Sequence, residues 1–344
     1  MNNKQRVVTV LRHITPDFIP YNIAFTIDSQ KKMVDYYGNE NFIETIGNHL
    51  VVAPVIKVDW GESDEKGYYT DEFGVVFNRT IDRDIGVPIP ILRNNRVGQI
   101  TFPETDAPYR FTKLEEAIKE NPDKFILMAF DSALFERAWF LRGMEDLLIA
   151  LVSDRDFVEQ LFDAIVAFDL KIIDMGLSRY PEVDGVIFGD DYGTQTGVMM
   201  GEDLWQQLVK PRLAKLFGRV KEHGKFVFLH SCGAVSCLFD DLVQIGLDCF
   251  NPFQPEVMDI YAMKKKYQGR LSFYGGISVQ RLLPFGNPQD VRREITRIID
   301  EIGSSGGYIA GPSHGIPGDI PARNIAAMLE VLQNQNRSEY WQEV

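Results

Sequence analysis

Short apolar runs alternate with amphipathic stretches along most of this chain, and the alternation is clearest after residue 184. The five clearest runs, each leading into a polar or glycine-rich turn, read GVIFGDD, KFVFLHSCG, LDCFNPFQP, LSFYGGIS and GGYIAGPSH. Amphipathic stretches such as Glu202–His223, Pro288–Ile302 and Pro321–Leu332 lie between or after them, two of them with proline at the start, where a missing N–H is tolerated. Strands that are apolar throughout and alternate with helices predict a parallel sheet covered by helices.

The earlier part of the chain fits the same scheme with the runs IPYNIAFT, HLVVAPVIK and KFILMAFDS, the last followed by the helical ALFERAWFLRGMEDLLIALV. About eight such units in one undivided chain favour a single (β/α)8 TIM barrel, of the α/β class, over residues 1–344 with N-terminal additions. An open doubly wound sheet is less favoured, because no G-x-G-x-x-G fingerprint follows a strand. Gly61–Arg110, rich in turns and charges, is typical of an insertion or hairpin lying across one end of the barrel.

Composition and charge narrow the class of protein. The chain has 344 residues, is 45% hydrophobic and carries a formal net charge of −13, which argues against nucleic acid or an anionic membrane as its main partner. The N-terminus lacks the apolar region of a secretory signal, and no apolar run approaches the roughly 18 to 20 residues of a membrane span. Three cysteines clustered within residues 232–249 are too few for a disulfide framework. We therefore expect a cytoplasmic enzyme.

Unusual polar residues and glycines follow five consecutive predicted strands. They are Asp190 and Asp191, then His230 and Cys232, then Gln254, then Gly275 and Gly276, and finally His314. Active sites of α/β barrels are built at the C-terminal ends of the strands, so these residues are expected to converge on one mouth.

His230 and Cys232 are candidate metal ligands. One residue separates them, so in an extended strand end both side chains point the same way. An imidazole nitrogen and a thiolate can then reach one ion at the roughly 2.0–2.3 Å that zinc requires. The alternative is that Cys232 is a small buried hydrophobe and that the His-x-Cys pair arises by chance.

A third ligand could come from Cys237, Cys249 or His314. Cys237 lies in the helix after the loop, where it would face packing, and Cys249 lies inside a strand, where it would fill the core. His314 ends a later strand in a Gly-Pro-Ser-His-Gly turn and is the best candidate. The remaining histidines, His13, His49 and His223, lie in contexts typical of surface or helix-end positions. Three protein ligands leave one position open for substrate or water, the pattern of a catalytic zinc.

The strand-end motifs together resemble those of the uroporphyrinogen decarboxylase superfamily. The likeness is strongest in FGDDYGTQTG, FLHSCGAV, NPFQPE, FYGGISVQRLLPFG and GYIAGPSHGIPGDIPARNIAAM, and weaker in TDEFGVVF and ERAWFLRGMEDLL. The porphyrinogen decarboxylases share an arginine-rich N-terminal motif, but this chain has IPYNIAFTIDS there, without arginine. It is closer to the corrinoid-dependent methyltransferases, whose zinc ligands are His-x-Cys and a later cysteine. His230 and Cys232 match that pattern, and His314 would replace the later cysteine.

The resemblance implies methyl transfer between a small molecule and the cobalt of a corrinoid (cobalamin) supplied by a partner protein. A methoxy-aromatic or methylamine donor, as in an O-demethylase, would need an acid for its leaving atom, and Asp190 or Asp191 would be that acid. A thiol acceptor would instead bind zinc as thiolate. Tyr192, Gln195, Gln254 and Tyr274 would line the substrate pocket, and Gly275 would permit close backbone approach.

Two further classes of function compete with methyl transfer. One is a metal-independent lyase, such as a decarboxylase acting on another substrate, in which Asp190 or Asp191 stabilises a protonated intermediate. The other is a non-catalytic barrel that only binds its ligand. A homodimer is compatible with the sequence in each case.

Overall fold

The computed structural model describes residues 1–56, 64, 66–80 and 85–335, and it divides into two compact units. The terminal unit comprises Met1–Val51, Asp123–Phe125 and Asp248–Val344, and the central unit comprises Val52–Pro122 and Ile126–Leu247. The organisation of residues 1–344 as a single domain stays a prediction.

Ten strands are present in the described residues. They are β1 (Leu50–Pro54), β2 (Tyr68–Thr70), β3 (Val76–Asn78), β4 (Val87–Ile89), β5 (Phe125–Phe130), β6 (Gly185–Gly189), β7 (Phe226–His230), β8 (Cys249–Phe253), β9 (Ser272–Ile277) and β10 (Tyr308–Pro312). Seven of them fall within apolar runs of the sequence; six are buried for most or all of their length, and β1 is buried at Leu50 and Ala53. The predictions made from those runs are confirmed.

Thirteen α-helices of three to 25 residues alternate with these strands in the described residues. They are α1 (Asn3–Leu11), α2 (Ile27–Tyr37), α3 (Thr112–Glu120), α4 (Phe135–Arg142), α5 (Met144–Ser153), α6 (Arg155–Arg179), α7 (Glu202–Leu204), α8 (Lys210–Glu222), α9 (Phe239–Gln244), α10 (Ile260–Lys266), α11 (Leu282–Phe285), α12 (Pro288–Ile302) and α13 (Ala322–Gln333). A π-helical turn, Trp205–Val209, joins α7 to α8. Short 3₁₀ turns lie at Phe42–Thr45, Val97–Gln99, Ser236–Leu238 and Gly303–Ser305.

Each unit contains strands that pair in parallel. In the central unit the order is β1, β5, β6, β7, and β6 pairs in parallel with β5 and β7. In the terminal unit β9 lies between β8 and β10 and pairs in parallel with both. The α/β class predicted from the sequence is therefore confirmed.

The central unit also contains the predicted hairpin. Strands β2, β3 and β4 form a separate antiparallel sheet in that order. Residues 57–63, 65 and 81–84 of the predicted insertion lie outside the described residues.

One predicted helix has the expected boundaries, and another is divided in two. The α12 helix covers the predicted stretch, with Pro288 in its first turn and a capping box in which Asn287 and Asp290 each satisfy the other's backbone N–H. The predicted long helix after β5 is instead two helices, α4 and α5, because Gly143 between them has φ +97 and interrupts the helical geometry.

The first predicted strand, IPYNIAFT, is wrong as a continuous strand. Only isolated parallel bridges occur there, from Tyr21 to Ala310 and from Phe25 to Ile316. Pro20, at the start of the run, has no N–H to donate to a ladder, so regular pairing cannot extend in that direction.

Two residues outside the site differ from their sequence-based descriptions. His49 is not at the surface: it is 3% exposed and stacks against Phe18, with its ring edge-on to Tyr21. Cys237 is exposed rather than packed, whereas Cys249 is buried as expected. Among the described residues, no helix combines the length and the apolar character needed to cross a membrane.

Candidate metal centre

The ends of β6 and β7 bring the first two predicted motifs together. The strands pair in parallel with Gly189 opposite His230, so the residues that follow each strand are neighbours. The backbone N–H of Asp190 continues the ladder by donating to His230 O at 2.9 Å. Asp191 therefore emerges beside the turn that contains Cys232.

Three side chains converge in this place. His230 Nε2 lies 3.5 Å from Cys232 Sγ and 3.9 Å from Asp191 Oδ1. One ligand atom from each of Asp191, His230 and Cys232 lies within 4.8 Å of the other two. The Cys232 N–H donates to Asp191 Oδ1 at 2.7 Å, which fixes the carboxylate against the His-x-Cys turn. The predicted ligand pair, His230 and Cys232, therefore lies next to a further candidate ligand, the carboxylate of Asp191.

The donor set fits zinc. At the metal–ligand distances of zinc, two atoms on adjacent corners of a tetrahedron lie roughly 3.3 to 3.7 Å apart. The separation of His230 Nε2 and Cys232 Sγ, 3.5 Å, falls in that interval, and the 3.9 Å from His230 to Asp191 is slightly longer. Nitrogen, sulfur and oxygen donors of this kind are all zinc ligands. A thiol–imidazole hydrogen bond accounts for the 3.5 Å contact equally well in the metal-free protein.

Asp190 is turned away from this group and is fully buried. Its Oδ2 accepts from Phe135 N at 3.0 Å and its Oδ1 from Glu136 N at 2.7 Å, and Tyr192 donates its hydroxyl to Oδ2. Burial raises the pKa of Asp190 to about 7, even though these hydrogen bonds favour the charged form. Asp190 therefore holds the first turn of α4 at the site.

Glu136 joins the site through α4 and was not predicted. Burial raises the pKa of its carboxyl well above the usual range, and the charges of Asp191 and Asp190 raise it further. Burial likewise raises the pKa of the Cys232 thiol, with Asp191 and Glu136 adding to the shift. In the metal-free site the Cys232 thiol is therefore protonated at neutral pH, and ionisation of Glu136 is disfavoured. The sequence signal was a Glu-Arg pair within the apolar stretch ALFERAWFL.

Two glycines allow the loops after β6 and β7 to touch. A Cβ at Gly193 would lie 2.6 Å from Cys232 O, and a Cβ at Gly233 would lie 2.5 Å from the backbone of Gly193. Gly233 also has φ +94, which side chains of L-residues rarely adopt. Ser231 adds a direct link, since its hydroxyl accepts from Tyr192 N at 3.0 Å. The position of Cys232 therefore depends on backbone contact between the loops.

The predicted substrate residues of the central unit have different environments. Tyr192 is fully buried, packs edge-on against Trp205 and commits its hydroxyl to Asp190. Gln195 is exposed in the loop after β6. Their contact with a substrate stays a prediction.

The other predicted residues belong to the terminal unit. Gln254 is buried at the end of β8, and Tyr274 in β9 is buried with its hydroxyl accepting from Asn22 at 2.9 Å. Gly275 has φ +130, and its carbonyl accepts from the Tyr308 hydroxyl at 2.7 Å. His314 is exposed after β10, with Nδ1 3.3 Å from Gly315 O. Its role as a metal ligand stays a prediction.

A comparison with protein families identifies the chain. Residues 80–335 match the model of uroporphyrinogen decarboxylase, and the matched range includes the strand ends that carry Asp191, His230 and Cys232. The chain belongs to the uroporphyrinogen decarboxylase family. The predicted superfamily is thereby confirmed, and the TIM barrel expected from the sequence is the fold of this family. No curated protein matches the chain's sequence.

A solved methyltransferase structure has a similar fold. A methyltransferase from Methanosarcina mazei superposes with a TM-score of 0.71 at 16% identity, covering 98% of this chain and 99% of the methyltransferase. At that identity the likeness shows the fold alone. An intracellular xylanase from Thermoanaerobacterium saccharolyticum gives a TM-score of 0.46 at 11% identity, covering 90% of this chain and 89% of the xylanase, and this weaker likeness carries no argument.

Proposed function

We propose that this protein is a zinc-dependent methyltransferase that moves a methyl group between a small molecule and the cobalt of a corrinoid on a partner protein. The observation that carries the proposal is the convergence of Asp191, His230 and Cys232 at adjacent strand ends. The similarity in fold to a methyltransferase from Methanosarcina mazei supports it.

His230 and Cys232 would hold the zinc together with Asp191, and the sequence-based candidate His314 would add a further donor. Zinc bound there would supply Lewis acidity to the oxygen, nitrogen or sulfur atom that loses or accepts the methyl group. The protein must release protons when the metal binds, because the thiol of Cys232 is protonated in the free site.

We assign the proton donor to Glu136 rather than to Asp190, the residue predicted with Asp191 from the sequence. Both oxygens of Asp190 already accept hydrogen bonds from Phe135, Glu136 and Tyr192, so Asp190 serves to position α4. Burial and the neighbouring carboxylates raise the pKa of Glu136 well above its usual range, which favours the protonated acid that a leaving oxygen or nitrogen requires. Asp191 is occupied as a donor to the metal.

The substrate class follows from the resemblance of the motifs and comprises methoxy-aromatics, methylated amines and thiols. Tyr192, Gln195, Gln254, Tyr274 and Gly275 would line or shape the substrate site. The protein would act in the cytoplasm, as a monomer or a homodimer, together with a corrinoid protein.

Methyl transfer measured directly tests the function. The purified chain, loaded with zinc, is incubated with cob(I)alamin or a corrinoid protein and a panel of methoxy-aromatics and methylamines, and methylcob(III)alamin formation is followed by absorbance. Thiols are tested in the reverse direction with methylcob(III)alamin. We expect turnover with at least one class, and loss of that turnover in Cys232→Ala but not in Cys237→Ala. Methyl transfer unaffected by a chelator and by Cys232→Ala would overturn the role of zinc. Absence of methyl transfer with every substrate class would favour the metal-independent lyase.

A further inference from the structure

Two adjacent acidic residues in the turn between β2 and β3 form buried ion pairs with different parts of the chain. Asp71 pairs with Arg137 of α4, and Glu72 pairs with Arg110 at 2.5 Å. All four side chains are at most 3% exposed. A buried ion pair is weak evidence for stability, because desolvation offsets much of the attraction, but it fixes the relative position of the elements that it joins.

The Asp71–Arg137 pair is held from several sides. Asp71 Oδ1 accepts from the backbone N–H groups of Phe73 and Val75, both at 2.9 Å, which closes the turn and leaves Oδ2 for the arginine. The Arg137 guanidinium also donates to Ser132 Oγ at 2.8 Å and lies 4.2 Å above the centre of the Phe73 ring. Arg137 therefore has one defined orientation.

Arg137 lies in the turn of α4 that contacts the metal-binding group. The two preceding N–H groups, of Phe135 and Glu136, donate to Asp190, and the residue that follows Asp190 is the metal donor Asp191. A continuous path of hydrogen bonds and covalent bonds thus runs from Asp71 through α4 to Asp191. The arginine of the other ion pair donates instead to backbone carbonyls, from Arg110 to Val55 O at 3.1 Å and to Glu104 O at 2.6 Å.

We propose that Asp71 and Arg137 are positioning residues, which set the first turn of α4 against Asp190 and thereby orient Asp191 for metal binding. This inference rests on the proposed function, because it assumes a metal ion held by Asp191, His230 and Cys232. The inserted hairpin would thus have a role in the site although none of its described residues belongs to the ligand group.

Metal binding by matched variants tests the inference. Asp71→Asn/Arg137→Gln removes one buried pair without leaving an uncompensated charge, and the asparagine keeps an oxygen for the turn. Glu72→Gln/Arg110→Gln removes the neighbouring pair, which is equally buried, and is the control. The probe is Co²⁺, whose affinity is measured by chelator competition and whose geometry is read from the thiolate charge-transfer and d–d absorption bands. Unfolding by urea establishes that each variant is folded under the assay conditions.

We expect the Co²⁺ Kd of Asp71→Asn/Arg137→Gln to rise by roughly tenfold, a typical effect of groups that orient metal ligands, with altered d–d bands. The control should stay within about twofold of wild type, with an unchanged spectrum. If the double variant does not fold, Arg137→Lys is measured instead. Lysine retains the charge but cannot donate to Asp71 and Ser132 at the same time in the forked geometry of the guanidinium, and a severalfold higher Co²⁺ Kd is expected.

The outcomes separate the inference from the proposed function. Unchanged Co²⁺ affinity and spectrum in the folded Asp71 and Arg137 variants overturn the inference alone. Equal losses in the variant and in the Glu72 and Arg110 control also overturn it, since they show a general effect on the fold. A wild-type chain that binds no Co²⁺ overturns the proposed metal site and the inference with it.

Discussion

His230 Nε2 lies 3.5 Å from Cys232 Sγ at the end of β7, a separation that matches two adjacent ligands of a tetrahedral zinc ion. The alternation of side chains along a strand places both residues on one side, and the parallel neighbour β6 supplies Asp191 next to them. The site is therefore assembled from two neighbouring strand ends of a single unit, and each ligand can be tested separately.

Loss of zinc is the expected result of removing either member of the His-x-Cys pair. Protein purified without chelator should contain close to one zinc per chain, and His230→Ala or Cys232→Ala should reduce this below about 0.2, because two remaining donors hold zinc weakly. Inductively coupled plasma mass spectrometry measures the content. Cys237→Ala is the matched control, since Cys237 is exposed and outside the group, and should retain wild-type zinc. Full zinc in Cys232→Ala would show that the ligands lie elsewhere.

A comparison of zinc affinity in Asp191→Asn and His314→Ala identifies the third metal ligand. Asp191 has its Oδ1 3.9 Å from His230 Nε2, so replacing the carboxylate by a neutral amide should weaken zinc binding by roughly ten- to a hundredfold. The measurement is chelator competition at fixed pH. A comparable loss in His314→Ala would add His314 to the ligands, as predicted from the sequence. Wild-type affinity in Asp191→Asn would exclude Asp191.

Much of the fold could be predicted because its signals are local. The run that ends in Phe226–His230 is apolar and short, and a strand within it is defined by those residues alone. The helix that begins at Pro288 has its capping residues within four positions. The predicted strand IPYNIAFT is an exception: it forms isolated bridges at Tyr21 and Phe25, and Pro20 has no N–H with which to extend the pairing.

The site was only partly predictable because its chemistry depends on which carboxylate faces which partner. Asp190 and Asp191 are adjacent in the sequence, yet one anchors α4 and the other faces His230. Glu136 contacts Asp190 across 54 positions, a separation at which an isolated sequence carries no pairing information. The sequence signal for Glu136 and Arg137 is limited to two adjacent charges at the start of a largely apolar helix.

Contact between the loops after β6 and β7 is predicted to control the position of Cys232. In Gly193→Ala the new methyl group would lie 2.6 Å from Cys232 O and 2.8 Å from Val235 Cγ1, so the loops must separate. We expect a loss of about 2 kcal/mol in the free energy of unfolding, together with weaker Co²⁺ binding. Gly197 lies in the same loop, and a Cβ added there would meet nothing within 4 Å, so Gly197→Ala should stay within about 0.5 kcal/mol of wild type. Equal stabilities would contradict the close contact.

Because His49 is buried, we predict that the terminal unit loses stability at acid pH. Burial lowers the pKa of this imidazole to about 4, whereas in the unfolded chain it is near 6.5. Between these pKa values the unfolded state binds a proton that the folded state does not. The contribution of His49 to the free energy of unfolding is therefore complete above about pH 6.5 and is lost as the pH falls towards 4. The full change corresponds to about 3 kcal/mol in the free energy of unfolding, measured by urea denaturation across this interval.

His49→Gln provides the control, because glutamine retains a polar side chain but does not titrate. Carboxylates elsewhere also titrate below about pH 5, so the relevant quantity is the difference between wild type and variant at each pH. The variant should lose less stability on acidification, with the two curves converging towards pH 4. Direct observation of the His49 ring protons by NMR should show no protonation at pH 5.5, where an exposed imidazole is about nine-tenths charged. Parallel stability curves, or a ring that titrates near 6.5, would contradict the burial of His49 against Phe18 and Tyr21.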